Sequence, residues 1–334
     1  MMMHRSSRTR RTAALATAAT AAGILLAACG SGGHSGGGAT TATLTVGVPP
    51  VVELGDLYTA DSKGFFAREG LTVKITRLNG GAALVPALVS GTVQIGQSNI
   101  VSVLQAQQQN IGMRCFAAGY RSPSAGAELS LVVSPKDAGT VTSPARLAGQ
   151  AVAVNSLDNS NQLVAEAYLA RHGVNPASVH FVALAYPDMP SALAAGRVAA
   201  AITDEPFTTI TRSQGAKVLA TQPDQVIAAH PVYACWVASA GWLSGHRQVA
   251  GKFVAALSRA DAYMAAHPAY LPSILPKYTT VSAAMARQVT LPDFTTRLAP
   301  PDVEPWARAA ARYKMTRSVV APASVLVAVP DGAS

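Results

Sequence analysis

From residue 43 onward the chain alternates short β-type runs with segments of helical spacing, and this order restricts the fold more than any other feature. Residues 44–48 form a short β-type run ended by Pro49-Pro50, and residues 56–69 have helical spacing, with Leu57, Phe65 and Phe66 apolar, before Gly70. A strand over 71–78, a helix over 82–89, a strand over 93–96, a helix over 99–109 and a strand over 113–118 follow. Strand and helix in strict turn predict a mixed, mostly parallel sheet with helices on its faces.

A second unit of the same kind comes next. Strands are expected over 129–133, 151–154, 179–184, 198–203 and 217–220. Helices are expected over 160–172, which Gly173 ends, and over 190–195 and 205–213. A strand over 232–239 opens the last region, where Pro268, Pro272 and Pro276 are expected to cut the helical pattern into short pieces. Topology repeats here while sequence does not. Two α/β units predict two lobes with a ligand cleft between them, since open α/β sheets bind ligands at the C-terminal ends of their strands.

The chain has 334 residues with 26 Lys and Arg against 17 Asp and Glu. An apolar share of 49% and a charged share of 13% exclude a disordered chain. Three cysteines are too few for a disulfide-stapled mini-domain. The +9 net charge suggests nucleic acid until it is located. Arg5, Arg8, Arg10 and Arg11 stand in a basic head, followed by an apolar run over residues 13–28. That run is shorter than the roughly 20 residues needed to cross a bilayer, and the pattern is that of an export signal. Leu26-Ala27-Ala28-Cys29-Gly30 looks like a bacterial lipobox, which would make Cys29 a lipidated new N-terminus; an ordinary signal peptide with a chance cysteine is the alternative. Residues 31–38, SGGHSGGG, read as part of a flexible tether over 29–42. Arg10-Arg11 permits twin-arginine export without distinguishing it from the general route. Past residue 28 the net charge is +5, spread without a basic run, so no nucleic-acid partner is expected.

Three stretches together resemble the solute-binding proteins of ABC importers in the nitrate/sulfonate/taurine and thiamine-pyrimidine-precursor group. Residues 63–73, KGFFAREGLTV, match that group's "GYF..EGL.V", and residues 87–96, ALVSGTVQIG, match "AL.SG.VD.G" with Gln94 in place of Asp. Residues 147–154, LAGQAVAV, with Ala192 to Val198 and Asp204-Glu205-Pro206-Phe207, look like "L.GK.VAV" through "AL..G.VDA…EPF", with Gln150 for Lys and Ala199 for Asp. The resemblance implies a type II periplasmic-binding-protein fold: lobe one from 43–125 and 232–334, lobe two from 126–231, and a hinge at the two crossings. It implies a monomer without enzymatic activity or cofactor. Such a protein is held outside the cytoplasm by its lipid, closes on a small organic solute (sulfonate- or taurine-like, or pyrimidine-like and nitrogenous), and hands it to a permease with its ATPase subunit. Two other readings remain open. One is an enzyme on the same fold, similar to a pyrimidine-precursor synthase or a Cys-dependent desulfinase, although those relatives work in the cytoplasm. The other is a sensory lipoprotein that has lost transport.

Candidate ligand residues are those just past strand ends. They are Glu53 after the first strand, Gln97, Ser98 and Asn99 after the third, and Tyr120 after the fourth. In lobe two they are Asn155, Ser156, Asp158, Asn159, Ser160 and Asn161, a polar loop that can cap a helix or offer N–H groups to an anion. Asp204 and Glu205 follow a later strand; they can serve acid–base chemistry, a helix N-terminus or a ligand amine. Acids there disfavour a simple anion and leave room for a nitrogenous ligand, with Tyr120 and Trp236 as aromatic candidates, either of which can equally be core. Cys115 and Cys235 fall on expected strands and are either a disulfide or two buried thiols. Neither HExxH nor a zinc-type Cys/His spacing occurs, so no metal site is expected.

Overall fold

The computed structural model describes residues 42–78 and 81–330. The export signal, Cys29 and nearly all of the tether lie outside those residues.

Strand β1 (Ala42–Val48) leads through a 3-10 turn at Val52–Leu54 into α1 (Gly55–Ser62) and α2 (Phe65–Arg68). The single helix expected over 56–69 is thus two: Gly64 adopts φ 68°, a left-handed conformation that breaks the helix and that glycine reaches without steric cost. Strand β2 (Leu71–Arg77), α3 (Gly81–Val89), β3 (Ile95–Asn99), α4 (Ile100–Gln108) and β4 (Met113–Arg121) complete the first run. Then come β5 (Leu129–Val133), β6 (Ala151–Val154), α5 (Ser160–Arg171), β7 (His180–Ala183), α6 (Met189–Ala194), β8 (Ala200–Asp204), α7 (Phe207–Ser213) and β9 (Lys217–Thr221). The chain returns through β10 (Val232–Ser239) to α8 (Ala240–Ala266), α9 (Tyr270–Tyr278), α10 (Ala283–Ala286), β11 (Asp293–Phe294) and α11 (Pro300–Arg312). Helix α8 runs 27 residues, kinked at His246, so the prolines do not fragment this region from its start. Pro268 stands just past its end, and Pro276 sits inside α9.

Two mixed α/β sheets result. The first has the order β11-β4-β10-β3-β1-β2 and the second β7-β6-β8-β5-β9. Parallel pairing holds where helices intervene, β2-β1-β3 and β7-β6-β8. Antiparallel pairing holds where β10 inserts between β3 and β4, and where β5 lies between β8 and β9. The chain passes between the sheets after β4 and again before β10.

Helix α8 covers one face of the first sheet. Its Phe253 stacks on Phe66 at 5.2 Å between ring centroids and meets Trp236 edge-on at 5.1 Å. Trp236 is fully buried and donates its indole N–H to Asp56 at 3.2 Å, so it is core and has no part in the cleft. On adjacent antiparallel strands Cys115 and Cys235 are joined as a disulfide, both buried, with Cα atoms 5.6 Å apart. No helix among the described residues is long and apolar enough to cross a membrane.

Candidate ligand cleft between the two sheets

The polar residues of the cleft come from strands, from the segments that follow them and from the first turn of α5. After β1 the rigid Pro49-Pro50 pair and the 3-10 turn carry Glu53 inward, where it is 1% exposed. Val52 N–H donates to the Glu205 carbonyl at 3.1 Å, tying this turn to the segment after β8. Gln97 and Ser98 lie on β3 itself, opposite Trp236 and Cys235 of β10, and not past the strand as their spacing suggests. Tyr120 likewise lies within β4. Both strands run further than their apolar pattern because the neighbouring strand supplies the ladder. Gly119 makes the placement of Gln97 possible, since a Cβ there would stand 2.5 Å from Gln97 Nε2.

A hydrogen-bonded chain runs from the first sheet to the opposite wall. Tyr233 donates its hydroxyl to Asn161 Oδ1. Asn161 Nδ2 donates to the Tyr186 hydroxyl at 2.9 Å and to Asp204 Oδ1 at 3.4 Å, and Tyr186 donates to Asp204 Oδ2. The rings brace the network: Tyr120 stacks on Tyr233 at 5.9 Å and Tyr186 on Phe207 at 5.7 Å.

The N-termini of α4 and α5 meet nearby. Asn99 Oδ1 caps α4 by accepting Ser102 N–H at 3.0 Å, and it also accepts Ser160 N–H at 3.3 Å and Ser160 Oγ–H at 3.1 Å. Ser160 Oγ accepts Val101 N–H at 3.4 Å. Helix N-termini attract anions through such N–H groups. Here neutral oxygens of the chain itself already take several of them.

Between these walls lies a cavity of about 50 Å³. Of the candidates named from sequence, Glu53, Gln97, Ser98, Asn99 and Tyr120 line it from one side, and Asn155, Asn159, Asn161 and Asp204 from the other. Four do not line it. Ser156 is half-buried on the loop, its hydroxyl donating to the Leu157 carbonyl at 3.3 Å. Asp158 is exposed, with φ 54°. Ser160 stands behind, at the helix junction. Glu205 turns away, accepting Thr209 N–H at 3.0 Å, Thr209 Oγ–H at 2.9 Å and Thr290 N–H at 3.4 Å. Tyr186 and Tyr233 line the cavity and are not among the sequence candidates. The strand-end rule applied to β7 points to Tyr186, three residues past its last position; Tyr233 carries no comparable signal.

The cavity is acidic, and no Lys or Arg among the described residues lines it. Burial holds the Glu53 carboxyl well above the usual carboxylate range, and the nearby Asp204 adds to the rise. Burial raises Asp204 to about 7 against the hydrogen bonds from Tyr186 and Asn161. Behind these, Glu128 is raised by burial and by Asp224, while Glu205 is pushed up to about 7 and Asp224 to about 6, both chiefly by burial. Both Glu53 carboxyl oxygens and Gln97 Nε2 have no hydrogen-bond partner among the described residues. Buried polar groups are almost always paired, so three unpaired atoms at one cavity mark where a ligand's polar groups fit. No group of His, Cys, Asp and Glu among the described residues is arranged to hold a metal ion.

The family model described as NMT1/THI5 like matches residues 53–270. The taurine-binding periplasmic protein of Escherichia coli (strain K12) is 28% identical over 217 residues, covering 64% of this chain and 64% of that protein, so the match spans less than two thirds of that relative. The alkanesulfonate-binding protein SsuA from Xanthomonas axonopodis pv. citri, solved bound to MOPS, superposes with a TM-score of 0.71 at 18% identity, over 84% of this chain and 97% of its own. The desulfurization enzyme DSZB superposes with a TM-score of 0.63 at 16% identity, over 86% and 96% of the two chains. At such identities these two structures show the shared periplasmic-binding-protein fold alone.

Proposed function

The chain belongs to the NMT1/THI5-like family, and from that premise we propose that it is an extracytoplasmic solute-binding protein, anchored by lipid at Cys29, which closes on a small organic solute and delivers it to an ABC permease. The observation that carries this reading is the polar cavity lined from both sides of the cleft, with the unpaired Glu53 and Gln97 atoms at it. Lobe one comprises 43–125 and 232–334 and lobe two 126–231, and the crossings after β4 and before β10 act as the hinge. The taurine-binding relative supports a transport role outside the cytoplasm. The enzymatic alternative finds less support: Cys115 and Cys235 are joined to each other and neither lines the cavity. The residues that line it bind and orient without offering a thiol nucleophile.

A ligand that binds only the folded chain raises its stability by RT ln(1 + [L]/Kd). Full-length protein in mild detergent is therefore expected to melt higher with at least one member of a panel of sulfonates, pyrimidines, amines and nucleobases. An unchanged melting temperature across the whole panel would overturn the reading. Cys29→Ala is expected to release the protein from membranes, and retention there would remove the lipid anchor.

A further inference from the structure

We propose that the cleft takes a small organic cation, a ligand presenting an N–H-bearing ammonium or amidinium group to Glu53 and Asp204, and that it rejects sulfonates and other simple anions. This deepens the solute-binding reading and rests on it.

Four observations converge. Glu53 is 1% exposed, lines the cavity, and has two carboxyl oxygens without a donor. The charged groups that weigh most on it are Asp204, Glu128 and Glu205, all acidic, and no ion pair among the described residues includes it. Among the described residues the Asp204 carboxyl receives hydrogen bonds only from the neutral Tyr186 and Asn161, which bring no positive charge. A buried carboxyl without a cation or donors keeps its proton, so its ionised form needs a partner, and here the ligand is the remaining source of one.

The second observation concerns anions. The helix N-termini that would receive one meet at Asn99 Oδ1 and Ser160 Oγ, which already accept Ser102, Ser160 and Val101 N–H groups. Third, Tyr120, Tyr186 and Tyr233 line the cavity beside the two carboxyls, and the free face of an aromatic ring attracts cations. Last, Gln97 Nε2 is an unpaired donor suited to a carbonyl or hydroxyl elsewhere on the same ligand. Because the Glu53 oxygens lack donors, the cation needs N–H groups; a fully methylated ammonium has none. The volume of about 50 Å³ admits a head group of a few heavy atoms.

Acetamidinium, acetamide and methanesulfonate are close in size and differ in charge, which makes them suitable probes. Calorimetry on the full-length protein at constant ionic strength is expected to show acetamidinium binding at least about tenfold more tightly than acetamide, with methanesulfonate and tetramethylammonium silent. Glu53→Gln, which keeps the side chain's shape, is expected to erase the preference for acetamidinium over acetamide while the unliganded protein melts no lower. Asp204→Asn gives a second route to the same loss. Methanesulfonate or acetamide binding as tightly as acetamidinium would overturn the cation assignment and leave the solute-binding reading intact. Silence of these probes together with the wider panel would remove both.

Discussion

The side-chain oxygen of Asn99, at the end of β3, accepts the Ser160 hydroxyl, at the start of α5, across 3.1 Å. One residue thereby caps its own helix and holds the N-terminus of a helix from the other sheet. Losing an N-cap costs about 1 kcal/mol, and losing a buried neutral hydrogen bond costs a similar amount. Asn99→Ala is therefore expected to lower unfolding stability by about 1–2 kcal/mol and Ser160→Ala by about 1 kcal/mol. Denaturant titration of the two single variants and the double variant is expected to give a non-zero coupling energy, of about 0.5 kcal/mol or more. Strict additivity would show that the contact does not hold the sheets together.

Stability is expected to fall as pH rises through the weakly acidic range. Glu53, Glu128, Asp204, Glu205 and Asp224 all bind protons more tightly in the folded chain than their ordinary values of 3.8 to 4.5 allow, three of them titrating at about 6 to 7. Arg212 beside Glu205 and His230 beside Asp224 pull the other way without cancelling burial. Between about pH 4.5 and 7 the folded state thus holds more protons than the unfolded one, and linkage makes stability decline with pH. Melting curves of the unliganded protein are expected to show this slope, and Glu53→Gln to reduce it. A cationic ligand requires the ionised acids, so its affinity is expected to rise over the same interval. A flat melting profile between pH 5 and 8, on the scale of these titrations, would contradict the assignment of the burden to these carboxyls.

Asp204 is legible in the sequence alone: it ends a run of small and β-branched residues, Ala200 to Thr203, and precedes a Glu-Pro pair that closes the strand. The same logic locates Glu53 and the Asn155–Asn161 loop, because strand ends are marked by local apolar pattern and by proline. It ends β3 too early. Gly96-Gln97-Ser98-Asn99 has no apolar alternation, and its extended state comes from pairing with β10, more than a hundred residues away. Tyr186 stands two residues past the strand expected over 179–184, and nothing in the local sequence around this edge strand separates it from a core tyrosine. Glu205 cannot be told from Asp204 in sequence. The two are adjacent, and only the hydrogen bonds from Thr209 and Thr290 turn one of them away from the cavity.

The Cys115–Cys235 disulfide links residues 120 positions apart. Closing so long a loop restricts the unfolded chain, which the chain-entropy model values at several kcal/mol, with about 2–4 kcal/mol typical of measured cases. The double variant Cys115→Ser, Cys235→Ser is expected to lose about that much stability, read by denaturant titration beside the parent under non-reducing conditions. Both residues lie outside the cavity lining, so ligand affinity under folding conditions is expected to stay within about twofold. Loss of binding without loss of stability would place the disulfide in the site after all.

Gly119 separates folding from recognition. Its backbone needs no left-handed conformation, and the nearest obstacle to an added Cβ is the far end of the Gln97 side chain, Nε2 at 2.5 Å and Cδ at 3.0 Å. A flexible side chain can move aside, so Gly119→Ala is expected to cost under about 1 kcal/mol of stability, the range of substitutions that need only local adjustment. The Gln97 amide must shift to make room, and with it the unpaired Nε2 donor facing the cavity. Ligand affinity is therefore expected to fall by about tenfold, the loss of one well-placed hydrogen bond. Thermal melting and calorimetry on the same sample check both numbers. A ligand that binds Gly119→Ala as tightly as the parent does not use Gln97, and the donor side of the cleft would then have to be reassigned to the neighbouring Ser98.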